Sequence, residues 1–306
     1  MKLLGAAALV LGLAGATTSG PVLAGCPVFP ASSVWNQRVD TLPVAPDSAR
    51  VIAAIGAGDG VHADFGNGLY NGSRIGIPYV VVHGKKTPKS RVAFQYADES
   101  DKGPYPIPAG VPIEGAPQHA NEGDRHALIV DRDSCRLYEL FALQRTGGRW
   151  TAGSGAIWNL RSNAPRPAGW TSADAAGLPI LPGLARWDGD ASTGAIRHAL
   201  RFTVERTRRA YVYPARHFAS DLTDPALPPM GLRVRLKASV KISDLPPQAR
   251  MVAQALETYG MILADNGSNW YLSGAPSPKW SNDQLHALGR LTGADFEVVD
   301  TSRLRP

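Results

Sequence analysis

Short segments of alternating apolar and polar residues, each closed by glycine or proline, recur along almost the whole of this chain. Ile75–His83, Arg91–Tyr96, Ala127–Asp131, Leu137–Leu143, Trp150–Ala152, Ala199–Val204, Ala210–Tyr213, Leu232–Val240, Met261–Ala264 and Trp270–Ser273 all read as strands. They are too short for helices, and 32 glycines and 25 prolines supply the turns between them. Helical spacing is confined to Pro46–Ile55, Pro247–Thr258 and Ser281–Leu291, the last opened by a Ser281/Gln284 capping box. Phe296–Val299 reads as a final strand. There is no low-complexity linker and no internal repeat. The pattern predicts a mainly β chain folded as a single antiparallel β-sandwich or jelly roll over residues 25–306, with a few short helices at its rim. A division into two domains near Gly115–Gly123 is the alternative.

Several of these strands carry a titratable residue among core side chains. His198 alternates with Ile196, Leu200, Phe202 and Val204; Glu139 lies between Leu137 and Phe141; His126 alternates with Leu128 and Val130; Asp265 closes Met261–Ala264 before an Asn-Gly turn. A buried ionisable group is costly unless paired or neutral, so such positions point to partners or to an active-site cleft. Glu139 is the leading candidate for a general acid, since desolvation keeps a carboxyl protonated near neutrality. The structural alternative is a buried pair with Arg201, Arg233 or Arg235. His198 and His217 bracket an expected hairpin of Ala199–Val204 with Ala210–Tyr213 and, with His126, could form a three-imidazole site. No tight ligand spacing accompanies them, so no metal and no other cofactor is expected. Core histidines bonded to carbonyls are the plainer reading.

Trp170–Asp188 holds two prolines, two glycines and apolar residues without alternation, as in an ordered, buried loop. Asp174, two residues after Ser172, caps a short turn there or presents a carboxylate to a cleft. Trp187, Trp270 and Tyr213 are candidates for stacking on sugar rings, or ordinary core. Arg201 and Arg235 are candidates for meeting an acidic sugar, although Arg233, Arg235 and Lys237 also form a plausible solvated strand face.

Lys2 followed by apolar Leu3–Ala14 reads as a signal peptide, with Val22-Leu23-Ala24 as a cleavage site. Leu23-Ala24-Gly25-Cys26 doubles as a lipobox, so the protein is expected to be secreted or periplasmic, or else lipid-anchored through Cys26. The chain's only cysteines are Cys26 and Cys135, and two cysteines in an exported chain more often pair. Closing that loop would stabilise by roughly 4–5 kcal/mol on the chain-entropy model. The net charge of +6 is dispersed, with no lysine-rich tract, which argues against nucleic acid as a partner. No stretch beyond the leader is apolar enough to cross a membrane, and a monomer is expected.

The ordered segments GDRHALIVD, CRLYELF, WTSADAAGLPILPG, HALRFT, YVYPARH, MGLRVRLKAS and YGMILADNGS resemble a family of exported bacterial proteins to which no activity is attached. The resemblance runs from Cys26 to about Asp300 and carries over no catalytic residue. The chain lacks the Glu-x-Asp-x-x-Glu strand of laminarinase-like hydrolases, the Gln-x-His and Tyr-x-Lys-x-Gly pattern of polyuronate lyases, and a Gly-x-Ser-x-Gly elbow. The residues themselves lead to an expected polysaccharide-degrading enzyme, most plausibly a glycoside hydrolase. Glu139 would be its acid, Asp174 or Asp265 its nucleophile or base, and His198 and His217 orienting groups. A uronate lyase using histidine or tyrosine with Arg201 or Arg235 is the alternative enzyme. A non-catalytic protein binding cell-wall glycan is the alternative outside enzymes.

Overall fold

The structure, a computed structural model, describes residues 20–119 and 122–304; most of the expected signal peptide lies outside them. The strands are β1 (Val22–Leu23), β2 (Cys26–Pro27), β3 (His62–Asp64), β4 (Leu69–Tyr70), β5 (Ser73–Arg74), β6 (Tyr79–Val82), β7 (Val92–Phe94), β8 (Ala127–Asp131) and β9 (Arg136–Phe141). They continue as β10 (Gln144–Thr146), β11 (Arg149–Ala152), β12 (Ser154–Asn159), β13 (Leu200–Val204), β14 (Arg233–Leu236), β15 (Met261–Asn266), β16 (Tyr271–Ser273) and β17 (Phe296–Val298). The helices are α1 (Ser48–Ile55), α2 (Pro247–Thr258) and α3 (Asn282–His286).

The chain is mainly β, as its patterning requires. Its strands form a four-stranded sheet in the order β12-β9-β8-β6, a six-stranded sheet β17-β14-β15-β13-β16-β3 and a small sheet β10-β11-β7. The expectation of purely antiparallel pairing needs correction. β6 runs parallel to β8, β7 to β11, β13 to β15 and β3 to β16. Parallel neighbours need a crossover rather than a hairpin, and between β13 and β15 the chain passes through β14 and α2. Alternation along a strand reports which face is buried, not the direction of the neighbour.

β8 is buried at every position, and its faces serve different cores. Leu128 and Val130 join the main core with Leu200, Phe202 and Met261 of the six-stranded sheet, whereas Ala127 and Ile129 join a smaller one with Val92, Tyr105 and Tyr138. Between the two larger sheets runs the Trp170–Asp188 loop. Its Leu178, Ile180, Leu181 and Leu184 are buried, Ile180 and Leu181 bond to β9, and Ala185 bonds to Ser273 of β16. α1 buries Val51, Ile52 and Ile55, and Ser48 Oγ accepts a hydrogen bond from the Val298 amide, seating the helix on β17. Ser281 accepts from the Gln284 amide and starts α3.

Cys26 and Cys135 form a disulfide spanning 109 positions, which leaves Cys26 no thiol to carry a lipid. β1 and β2 pair through an Ala24-Gly25 turn, and Leu23 is buried. Cleavage after Ala24 would cut this hairpin at its turn and take Leu23 out of the core. Ala14-Gly15-Ala16, a small-residue site upstream, would leave it intact. No helix among the described residues is long and apolar enough to cross a membrane.

Candidate active site

Asp265 owes its place to an irregularity in β15. Arg201 pairs with Ile262 and Phe202 with Leu263, but Thr203 pairs with Asp265, so Ala264 is bulged out of the ladder. Cross-strand partners share a face, as do residues two apart on one strand. The bulge therefore brings Asp265 onto the face of Arg201 and Thr203, and re-aiming a side chain is what bulges commonly do. Asp265 Oδ2 lies 3.4 Å from Arg201 Nη2, and its Oδ1 accepts the Asn266 amide at 2.8 Å.

Asp174 is delivered by the loop. Ser172 Oγ accepts the Asp174 amide at 2.9 Å and donates to the Leu178 carbonyl at 2.5 Å, closing a tight turn. Gly177 completes it at φ +68°, where a Cβ would stand 2.5 Å from the Trp170 carbonyl. The Ala176 amide bonds to Ala264 and its carbonyl accepts the Arg216 and His217 amides, so one turn ties the loop, the bulge and the 216–217 segment together.

Arg201 sits at the centre. Its Nη2 and Nε meet the two oxygens of Asp174 at 2.8 and 3.3 Å, and its Nη1 donates to Ser273 Oγ at 2.5 Å. Burial opposes its charge, but Asp174 outweighs burial and raises its proton affinity. The Asp174 side chain is 0 % exposed and that of Asp265 is 23 % exposed. Burial first, and the Asp174 charge second, push Asp265 up to about 7, against Arg201 and His126. Beneath them His126 places Nδ1 2.5 Å from Glu114 Oε2 and Nε2 2.9 Å from the Ala173 carbonyl. Both ring nitrogens face acceptors, so the imidazole is doubly protonated. Burial alone would lower its pKa; the charge and hydrogen bond of Glu114 prevail and raise it to about 9. Glu114 correspondingly lies below its ordinary range despite its own burial.

Asp174 and Asp265 border a cleft of about 370 Å³, while Arg201, His126 and Glu114 lie behind its lining. Asp174, Asp265 and His217 line it with Glu99, Asp124, Tyr96 and Asn266, and among the described residues no lysine or arginine does. His217 Nδ1 lies 2.9 Å from the Ala175 carbonyl, so in the neutral imidazole Nδ1 is the donor and Nε2 the acceptor.

The remaining candidates lie elsewhere. Glu139, the leading acid by sequence, is 0 % exposed and does not line the cleft. It accepts the Ile180 and Leu181 amides at 2.9 Å and Trp158 Nε1 at 3.0 Å. Burial nonetheless carries it up to about 7 against those donors. Its place is structural, as a clamp of the buried loop onto β9 and β12, and its partners are amides and an indole rather than an arginine. His198 bonds to Asp190 and the Ala199 carbonyl within a buried Arg186–Asp190–His198 cluster. The expected hairpin beside it does not form, because β13 pairs with β15 and β16 while Tyr211 bridges Met230. Trp270 is wholly buried between Phe202 and Phe296, with Nε1 on the Gly56 carbonyl, so it offers no face to a ligand. Trp187 packs edge-on against Trp280, and Arg235 is spent on Glu297 and the Leu42 carbonyl. Tyr213 lines a separate narrow crevice with Trp35 and Trp158.

The structure thus gathers Asp174, Asp265, Arg201, His126 and His217 and disperses the rest. Sequence reasoning missed Glu114 and Asp124, which stand in irregular segments, Glu99, in a short 3-10 turn, and Tyr96, which closes a run read only as a strand. Among the described residues no cluster of three or more His, Cys, Asp or Glu is placed to hold a metal ion. No protein-family model matches the chain, nor does any curated protein or solved structure.

Proposed function

We propose that the cleft hydrolyses glycosidic bonds, with Asp265 as proton donor and a water activated by His217 Nε2 as nucleophile. The observation that carries this reading is a partly exposed Asp265 carboxyl at the cleft, sharing one guanidinium with the enclosed Asp174. A donor must hold its proton near neutrality and still reach the leaving oxygen, and Asp265 combines the two. The Asp174 side chain is enclosed at the cleft wall; it is a positioning residue whose charge holds the Asp265 proton. In the reaction Asp265 gives its proton to the glycosidic oxygen as the bond from the anomeric carbon breaks. His217 Nε2 takes a proton from water as the water oxygen bonds to that carbon. With the second carboxylate of the pair enclosed, no covalent glycosyl intermediate forms on it, and direct attack by water inverts the anomeric configuration.

The lining also favours a substrate class. Carboxyls without a free cation suit neutral or amino sugars and repel uronates. The lyase alternative needs an arginine free to neutralise a uronate, but the Arg201 nitrogens are taken by Asp174, Asp265 and Ser273, and Arg235 is remote. A binder that stacks sugars would present flat tryptophan faces, whereas Trp270 is wholly buried and half-buried Trp187 packs edge-on against Trp280. The test is to incubate the purified protein with neutral glycans, amino-sugar polymers and polyuronates, following reducing ends and the ultraviolet absorbance of unsaturated products. Reducing ends from a neutral or amino-sugar polymer, without absorbance, are expected. Absorbance from a polyuronate would establish the lyase, and retention on a glycan without cleavage the binder.

A further inference from the structure

Beyond the cleft, we propose that a depression lined by Arg125 and Arg145 binds an oxyanion carried on a sugar-sized body: a carboxylate, a sulfate or a phosphate. Asp124 lines the cleft, and the next residue, Arg125, lines this second hollow of about 330 Å³. Gln144, Arg145, Thr146 and Trp150 form its polar side, and Val111 and Ile113 are among its apolar residues. No aspartate or glutamate lines it.

Arg125 is only 6 % exposed and makes no ion pair among the described residues. Its Nε and Nη2 donate to the Leu143 carbonyl at 3.0 and 2.7 Å, and its Nη1 is buried with no acceptor among the described residues. Other enclosed arginines have a counter-charge or several carbonyls, although Arg186 Nε also lacks a partner among the described residues. Arg166, Arg186 and Arg201 have carboxylates, and Arg233 has the Tyr259, Val34 and Gln37 carbonyls. A guanidinium stays charged when buried, so a vacant donor on an unpaired one is costly, and an anion would relieve it. Arg125 also holds φ at +49°, an uncommon backbone for a residue with a side chain.

Arg145 supplies a second charge. Its guanidinium lies over the Trp150 ring at 5.2 Å, which orients its N–H edge. A neighbouring hollow of about 610 Å³ shares Arg145 and Trp150 and adds Arg91 and Arg149, again with no acid in its lining. Planar guanidinium forks match carboxylate and other oxyanions bidentately, and a ring body finds apolar contact at Trp150 and Val111. The field here is opposite in sign to that of the cleft, so the two sites select different groups.

Isothermal titration with glucuronate, glucose 6-sulfate, glucose 6-phosphate and neutral glucose tests the proposal, because it reads binding rather than turnover. At least one anionic probe should bind at millimolar concentration and glucose should not; which of the three anions binds identifies the source of the charge. Arg145→Gln, at an exposed position, should weaken binding about tenfold or more, and Arg125→Gln should abolish it if the variant folds. Asp265→Asn should bind the anion as the unaltered protein does, whether or not the cleft proves hydrolytic. Absence of binding by all three anions, or anion binding indifferent to Arg145→Gln, would overturn the proposal.

Discussion

Glu139 and Asp265 are two carboxyls pushed to about 7 by the same first cause, burial, and both are raised further by Asp174. They differ in what their oxygens meet. Glu139 is closed in by two amides and an indole N–H on every side that matters, whereas Asp265 shares one arginine and one amide and opens onto the cleft. A raised pKa therefore marks desolvation, which both sites have. Access separates the proton donor from the structural clamp, and access depends on which element lies over the strand. For Glu139 that element is the loop; Asp265 is left partly open to the cleft.

Removing the clamp should cost most. Glu139→Ala strands three buried N–H groups, and at about 1–3 kcal/mol for each unpaired donor the loss should be at least about 3 kcal/mol. Denaturant unfolding measures it, and the remaining folded fraction should turn over normally. An inactive but fully stable variant would reverse the two roles.

Asp174→Asn sharpens the comparison at the other site. It withdraws a negative charge beside Asp265 and frees Arg201 to favour the Asp265 anion, so the Asp265 pKa falls toward its ordinary value. The alkaline limb of the pH–rate profile, where the donor loses its proton, should move about one unit or more to lower pH. A profile that keeps its position while the rate drops would make Asp174 merely structural.

The smallest effect is the pH dependence of stability. Glu139 and Asp265 bind protons more tightly folded than unfolded between the ordinary carboxylate range and about 7, and His126 does so between 6.5 and about 9. Stability therefore falls as pH rises through those windows. Glu114, Asp131 and Asp190 are shifted the other way and withdraw their contribution as pH falls below the carboxylate range. Thermal unfolding should show a maximum in mild acid, with the melting temperature at about pH 5 above that at about pH 8 by a few degrees. Glu139→Gln and Asp265→Asn should each flatten the part of the slope below about pH 7, although only one of them alters catalysis.

Much of this was readable before any coordinates. Period-two runs locate β8, β9, β13, β14 and β15, although Ala210–Tyr213 forms no strand and β12 stands outside every expected run; α2 begins at its proline and spans its apolar stripe, and two cysteines in the chain give the disulfide. The buried character of Trp170–Asp188 follows from prolines, glycines and the lack of alternation. What alternation cannot show is the partner. It set Glu139 on an apolar face correctly, but the amides of Ile180 and Leu181 that fill that face come from a loop some forty positions away. It set Asp265 at a strand end, but the bulge at Ala264 that turns it toward Arg201 depends on a parallel strand across a long crossover. Sequence alone leaves Trp270 open between stacking face and core; in space Phe202 and Phe296 flank it.

The most direct measurement is turnover by Asp265→Asn on the best glycan found, beside a thermal melt of the same sample. The account predicts a folded protein with turnover lowered by about 10²-fold or more, and with much of that loss absent on an aryl glycoside whose leaving group needs no proton. Unaltered turnover on both substrates by folded Asp265→Asn, with Glu139→Gln folded and inactive, would contradict it.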